Sequence, residues 1–255
     1  TRYGGVVPEL ASRAHQQNIV PVVDAAIKKA GIHPDEINAV AFTRGPGLIG
    51  SLLVGVSFAK AFALAKNIPL IEVNHMQAHI LAHFIDATPT FPFLCLTVSG
   101  GHTQIVLVKD FLEMEVIGET LDDAAGEAFD KSAKLLGLPY PGGPLIDEYA
   151  QKGDASKFPF PEPQIAELDF SFSGVKTSIL YFLQKQTRLN PDFVKENIYD
   201  LCAGVQKTIV DILLKKLEKA AIKTGVKEIA LAGGVSANSE LRRRVAELGD
   251  KNGWK

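Results

Sequence analysis

Between Pro8 and Phe84 the apolar residues change their spacing four times, and the first three changes are marked by glycine or proline. Leu10, Ile19, Val22, Val23, Ala26 and Ile27 recur at helical spacing over residues 8–29, and Gly31 follows as a stop. Residues 37–42 form a short apolar run. Gly45-Pro46-Gly47 then turns the chain into a helix over 49–66, and 69–73 is a second apolar run. A further helix is expected over 75–84. Strand patterns alternating with helical ones restrict the chain to an α/β fold, because each crossover helix must pack on the sheet its strands build.

A proline-bearing linker at 88–92 separates this third from the rest, so two lobes are expected, 1–90 and 91–255. In the second, 93–98 is a continuous apolar strand. Ser99-Gly100-Gly101 forms a tight turn, and 103–108 returns as the other arm of a hairpin. Helices are expected over 122–136, 144–151, 173–184, 191–206 and 207–224, the last two as one continuous helix or two. The proline-rich stretch 153–169 is expected as an exposed excursion. A buried strand at 228–232 precedes Gly233-Gly234 and a last helix over 238–248. In such folds ligands gather at the carboxyl ends of strands and between lobes.

Composition adds exclusions. Net charge is −2, so an RNA contact needs a local basic face. The richest apolar stretch, 48–65, is interrupted by Gly50, Ser51, Gly55, Ser57 and Lys60, short of an uninterrupted membrane span. Cys95 and Cys202 lie in apolar patterns and read as buried thiols of a reducing, cytoplasmic setting rather than a disulfide framework. Thr1 opens on a segment already entering a helix, and Trp254-Lys255 follows one with no closing element. Segments are therefore expected before and after the chain.

Five clusters could carry chemistry. His75 and His79 are four apart on an expected helix, which puts both imidazoles on one face. The pair suits two ligands of a divalent metal or a solvated or capping histidine cluster; Met76 stands where a zinc protease needs glutamate. His83 extends the same face. Val98-Ser99-Gly100-Gly101-His102-Thr103 is a plain hairpin turn or a backbone cradle for an anion. In the run 122–131, Asp122 and Asp123 suit a helix N-terminus, whereas Asp130 lies inside the helix and suits a ligand hydroxyl or a metal-bound water. Tyr140-Pro141-Gly142-Gly143-Pro144 is a rigid turn with Asp147 one helical turn on. Gly233-Gly234 permits close approach of a flat ring, and Asn238 can bond a base or ribose edge. Arg242-Arg243-Arg244 is a solvated helix face or a contact for RNA phosphates.

Taken together, the strings 4–15, 45–47, 74–79, 98–104, 126–131, 140–144, 172–177 and 233–238 resemble, in order, the universal tRNA threonylcarbamoyladenosine family, in its bacterial branch. The resemblance implies an actin-like, sugar-kinase-like fold of two ribonuclease-H-like lobes. It implies transfer of a threonylcarbamoyl group from threonylcarbamoyl-AMP to N6 of adenosine 37 in tRNAs reading codons that begin with A. His75 and His79 would hold an iron or zinc ion and, with Asp130, form the catalytic set. Thr97, Val98, Ser99, Gly100 and Gly101 would contact the donor, Asp130, Gly143 and Asp147 its ribose and adenine side, and Asn238 the adenine. The two histidines and the glycine slot would grip one nucleotide from either side. The implied partners are tRNA, a degenerate paralogue and a small P-loop ATPase. The family's opening strand pair and a third metal ligand, an aspartate, are expected outside residues 1–255, so weak metal binding and poor turnover are expected of this chain alone. An ATPase or sugar kinase of the same fold, and a non-catalytic paralogue, are the competing readings.

Overall fold

The computed structural model describes residues 7–255; Gly4, Gly5 and Val6 of the first matching string lie outside the described residues. The chain forms two compact units, one ending at His79 and the other spanning Ile80–Lys255.

The first unit is a parallel βαβ arrangement preceded by a helix. Helix α1 (Pro8–Ala30) starts with proline at its first position, where the missing N–H costs nothing, and closes on Gly31, whose φ of 68° is left-handed. Strand β1 (Val40–Gly45), helix α2 (Ile49–Lys66) and strand β2 (Leu70–Asn74) follow. The strands pair in parallel from Val40↔Leu70 to Gly45↔Asn74, with α2 as the crossover. β1 starts three residues later than the apolar run suggested. Ile37 caps a 3₁₀ turn over Pro34–Glu36, and the first ladder partner across the sheet is Leu70. Hydrophobicity alone carries no register. By length and composition α2 is apolar enough to cross a membrane, with a mean hydropathy of 1.5, although its glycines and serines had counted against a span. Gly50 brings it close to α1: a Cβ there would sit 3.0 Å from the Ser12 hydroxyl.

The single helix expected after β2 is two, α3 (His75–Leu81) and α4 (His83–Asp86), broken at Ala82. In the second unit, β3 (Phe93–Val98), β4 (Thr103–Val108) and β5 (Met114–Glu119) are followed by α5 (Ala125–Leu135), α6 (Gly143–Ala150), α7 (Ser173–Leu189), α8 (Phe193–Glu196), α9 (Ile198–Thr224), β6 (Ile229–Ala232) and α10 (Ser239–Asn252). The sheet order is β5-β4-β3-β6, with β3 antiparallel to β4 and parallel to β6. Every residue of β3 is buried, as a central strand covered on both faces requires. Leu94, Leu96 and Val98 enter the main core, which includes buried residues of α5, α7 and α9. Phe93 and Cys95 point the other way, into a smaller cluster with Ile80 and Val106.

Three further sequence expectations change. β5 was not anticipated: it is an edge strand with exposed Glu115 and Glu119, so its pattern lacks an apolar run. Residues 191–224 form a short α8 and one long α9, buried along most of its length. The stretch 153–169 is not simply exposed. Phe160 and Leu168 belong to the main core, and Gly204 of α9 lets the backbone of Phe158 approach so closely that a Cβ would lie 2.2 Å from its oxygen. Without periodicity, a loop that buries isolated aromatics looks like any proline-rich loop.

Candidate functional site

The carboxyl end of β3 supplies the first wall. Beyond Val98, Ser99 donates its N–H to the His102 carbonyl at 2.8 Å, and the His102 N–H returns to the Ser99 hydroxyl at 3.1 Å. This closed turn leaves Gly100 and Gly101 exposed, with open space where their side chains would be. The first turn of α5 lies directly against it. Gly126 donates its N–H to the Ser99 carbonyl (3.2 Å), Ala125 donates to the buried Thr103 hydroxyl (2.9 Å), and a Cβ on Gly126 would lie 2.6 Å from the Ser99 oxygen.

One turn further along α5, Asp130 holds the Pro-Gly-Gly-Pro bend. Its Oδ1 accepts from the N–H of Gly142 (2.7 Å) and Gly143 (3.2 Å), the start of α6. Asp147, on α6, accepts from the N–H and hydroxyl of Ser239 at the start of α10. Asn238 caps α10: its Oδ1 accepts from Leu241 N–H (2.9 Å), and its Nδ2 donates to Oε1 of Gln206 (2.8 Å).

These parts enclose a cavity of about 280 Å³ within the second unit, lined by Gly100, Gly126, Phe129, Asp130, Pro141, Gly143, Pro144, Asp147, Gly234, Val235, Ala237 and Asn238. It gathers Gly100, Asp130, Gly143, Asp147 and Asn238 from the sequence candidates, but not Thr97, Val98, Ser99 or Gly101. Thr97 and Val98 are fully buried, and Thr97 pairs with Gln104 on one side and Ala232 on the other, so their side chains serve the sheet. The two glycines after β6 divide their work. Gly233 (φ 88°) brings the backbone against Val98, where a Cβ would stand 2.3 Å from its oxygen, while Gly234 faces the cavity. Phe129, Val235 and Ala237 were not singled out. They form an apolar wall suited to a flat ring, and their only sequence signal is membership of the matching strings 126–131 and 233–238.

Asp122 does not serve the N-terminus of α5. It accepts from the Ser171 hydroxyl (2.6 Å), Phe172 N–H (2.8 Å) and the N–H and hydroxyl of Ser173 (3.3 and 2.7 Å), which caps α7 instead. Burial pushes its carboxyl up, but these four hydrogen bonds together hold it below its ordinary value. Asp123 pairs with Lys131 (2.7 Å).

In the first unit, the Asn74 side chain at the end of β2 accepts from Met76 and Gln77 N–H (2.9 and 3.1 Å) and so starts α3. His75 and His79 meet edge to face, ring centroids 4.6 Å apart, while Met76 is buried on a different side of the helix. Among the described residues no group of three His, Cys, Asp or Glu is poised for a metal, so the pair offers two donors.

Of the basic run, Arg243 pairs with Glu240 and Glu247 and Arg244 with Asp211. Two of its three charges are thus spent within the protein, and Arg242 is exposed. Cys95 and Cys202 are buried free thiols, each pushed up to about 12 by burial.

Comparison with known proteins places this geometry. Full-length HypF in its phosphate- and nucleotide-bound form matches with a TM-score of 0.59 at 15% identity, over 92% of this chain and 45% of that one. Component A of the Acidaminococcus fermentans (R)-2-hydroxyglutaryl-CoA dehydratase matches with a TM-score of 0.52 at 16% identity, over 90% and 72%. The likeness establishes the fold, which is the actin-like α/β fold. Proteins named tRNA N6-adenosine threonylcarbamoyltransferase from Christiangramia forsetii and Riemerella anatipestifer are 63% and 64% identical over 258 and 256 residues. They cover 100% and 99% of this chain, which spans 76% and 75% of theirs. The sequence pattern of that family matches residues 1–255. The chain belongs to the tRNA N6-adenosine threonylcarbamoyltransferase family.

Proposed function

We propose that this chain transfers a threonylcarbamoyl group from threonylcarbamoyl-AMP to N6 of adenosine 37 in tRNAs reading codons that begin with A, releasing AMP. The observation that carries the reading is convergence: in a chain matching the family throughout, Gly100, Asp130, Gly143, Asp147 and Asn238 line one cavity.

The donor is a mixed carbamic–phosphoric anhydride, already activated, so positioning does most of the work. The adenosine amine forms a bond to the carbamoyl carbon. The carbon–oxygen bond to phosphate breaks, its electron pair leaves with AMP, and the amine loses a proton. Phe129, Val235 and Ala237 supply a face for the adenine of AMP. Asp130 has one oxygen committed to Gly142 and Gly143, and in this reading its other oxygen accepts from a ribose hydroxyl. Gly100, with no Cβ in the way, lets backbone N–H groups meet the departing phosphate.

His75 and His79 would hold a divalent ion, iron or zinc. Two imidazoles four residues apart on one helix, in ring contact, fit an ion that favours nitrogen donors and takes further ligands elsewhere. Such an ion would supply Lewis acidity. tRNA, a degenerate paralogue and a small P-loop ATPase as partners, and a cytoplasmic location, complete the reading; the two free buried cysteines accord with a reducing compartment.

The test is mass spectrometry of tRNA nucleosides after incubation with the chain and threonylcarbamoyl-AMP, alongside phosphate release from ATP without that donor. Threonylcarbamoyladenosine that depends on the donor supports the transferase. Phosphate release alone would make this an ATPase, and modification untouched by His75→Ala would remove the histidines from the catalytic set.

A further inference from the structure

Gln206 is a buried amide in an apolar stretch of α9. It is 4% exposed, while Val205, Ile209 and Val210 around it are fully buried. An amide in such surroundings is costly unless its hydrogen-bonding groups are used. Its Oε1 accepts from Asn238 Nδ2 at 2.8 Å, joining the core helix to the cavity wall 32 residues away.

The orientation of both amides follows from one donor. Leu241 N–H bonds the Asn238 side chain at 2.9 Å, and only an oxygen can accept it, so Asn238 must place Oδ1 there. Nδ2 then faces Gln206, which must present its own oxygen. Nδ2 carries two hydrogens. Gln206 takes one, and the second remains for the cavity that Asn238 lines.

We propose that Gln206 is a positioning residue, holding the Asn238 amide so that one N–H is presented to an acceptor on an adenine nucleotide; this rests on reading the cavity as the nucleotide site. Gln206 does not line the cavity itself. It acts through Asn238, much as Asp147 acts on the neighbouring Ser239, and together these contacts fix the start of α10 against α9 and α6.

The experiment measures AMP affinity by calorimetry for the 255-residue chain and its variants, with thermal unfolding run in parallel. Gln206→Met removes the acceptor and is expected to weaken AMP binding about tenfold. Gln206→Glu keeps an accepting oxygen and is expected to bind within about threefold of the parent. In an Asn238→Ala background, Gln206→Met should add nothing further, since its route to the nucleotide is already cut. Undiminished AMP binding in Gln206→Met, or an equal loss with and without Asn238, overturns the proposal. Failure of the parent chain to bind AMP would instead overturn the nucleotide-site reading beneath it. If Gln206→Met does not fold, Gln206→Asn, whose oxygen falls short of Asn238, takes its place in the same comparison.

Discussion

Asp147 and Ser239, 92 positions apart, form a two-point clasp: one carboxylate oxygen accepts the Ser239 N–H at 3.0 Å and the other its hydroxyl at 2.6 Å. Both oxygens are therefore engaged in holding α6 to α10. Ser239→Ala removes the hydroxyl bond and leaves the backbone one, so it should cost about 1 kcal/mol in urea unfolding, with the denaturant slope unchanged. Asp147→Ala unties both and should cost more than Ser239→Ala. An Asp147→Ala chain as stable as the parent would show that the clasp does not hold the helices.

Asp130 divides its two oxygens differently. Oδ1 holds the Gly142 and Gly143 N–H groups, and asparagine at this position keeps that oxygen while replacing the other with an amide nitrogen. Asp130→Asn should therefore change stability by less than about 1 kcal/mol, yet lower tRNA modification about tenfold or more, because a charge-assisted acceptor is lost. Asp130→Ala strands both N–H groups and should destabilise by about 1–3 kcal/mol. Equal losses of activity and stability in Asp130→Asn would make Asp130 a structural residue only.

Much of this was legible in sequence because local signals carried it. The β3–β4 hairpin was bounded to the residue by a continuous apolar run, a Ser-Gly-Gly turn and a second run, and α2 by the Gly-Pro-Gly turn before it. What was missed depends on partners distant in the chain. β5 exists because β4 offers it an edge. Asp122 looked like an N-cap for the nearest helix and instead caps one about fifty residues on. In the cavity, polar residues announced themselves by type, whereas Phe129, Val235 and Ala237 look in sequence like ordinary core. Thr97 and Val98 belong to a matching motif, and the structure adds that both side chains are buried in the sheet, with Thr97 paired on both edges.

Gly126 ties the helix carrying Asp130 to the glycine hairpin. A Cβ there would lie 2.6 Å from the Ser99 carbonyl oxygen and 2.9 Å from the Gly100 Cα, both backbone atoms that no rotamer change can move aside. Gly126→Ala should force the first turn of α5 away, costing on the order of 1–3 kcal/mol, and AMP binding should fall with it. Gly100→Ala has open space at the same test, so its stability should stay within about 0.5 kcal/mol of the parent. Thermal unfolding of the two variants side by side checks the contrast, and equal stability would mean that the hairpin yields to the methyl group.

Asp122 makes the start of α7 sensitive to acid. Burial raises its carboxyl pKa, the bonds from Ser171, Phe172 and Ser173 lower it, and the net shift is downward from 3.8. A folded-state value below the unfolded one means that the unfolded chain binds the proton more readily. The ionised carboxylate therefore adds stability that is complete above about pH 5, shrinks as the pH falls through 3.8, and is gone once the pH drops well under the folded value. Asp122→Ala lacks this contribution at every pH. Urea unfolding of parent and variant from pH 7 to pH 3 should show a constant gap down to about pH 4–5 and a narrowing gap below it. A gap that widens on acidification would reverse the sign of the shift and detach Asp122 from the capping of α7.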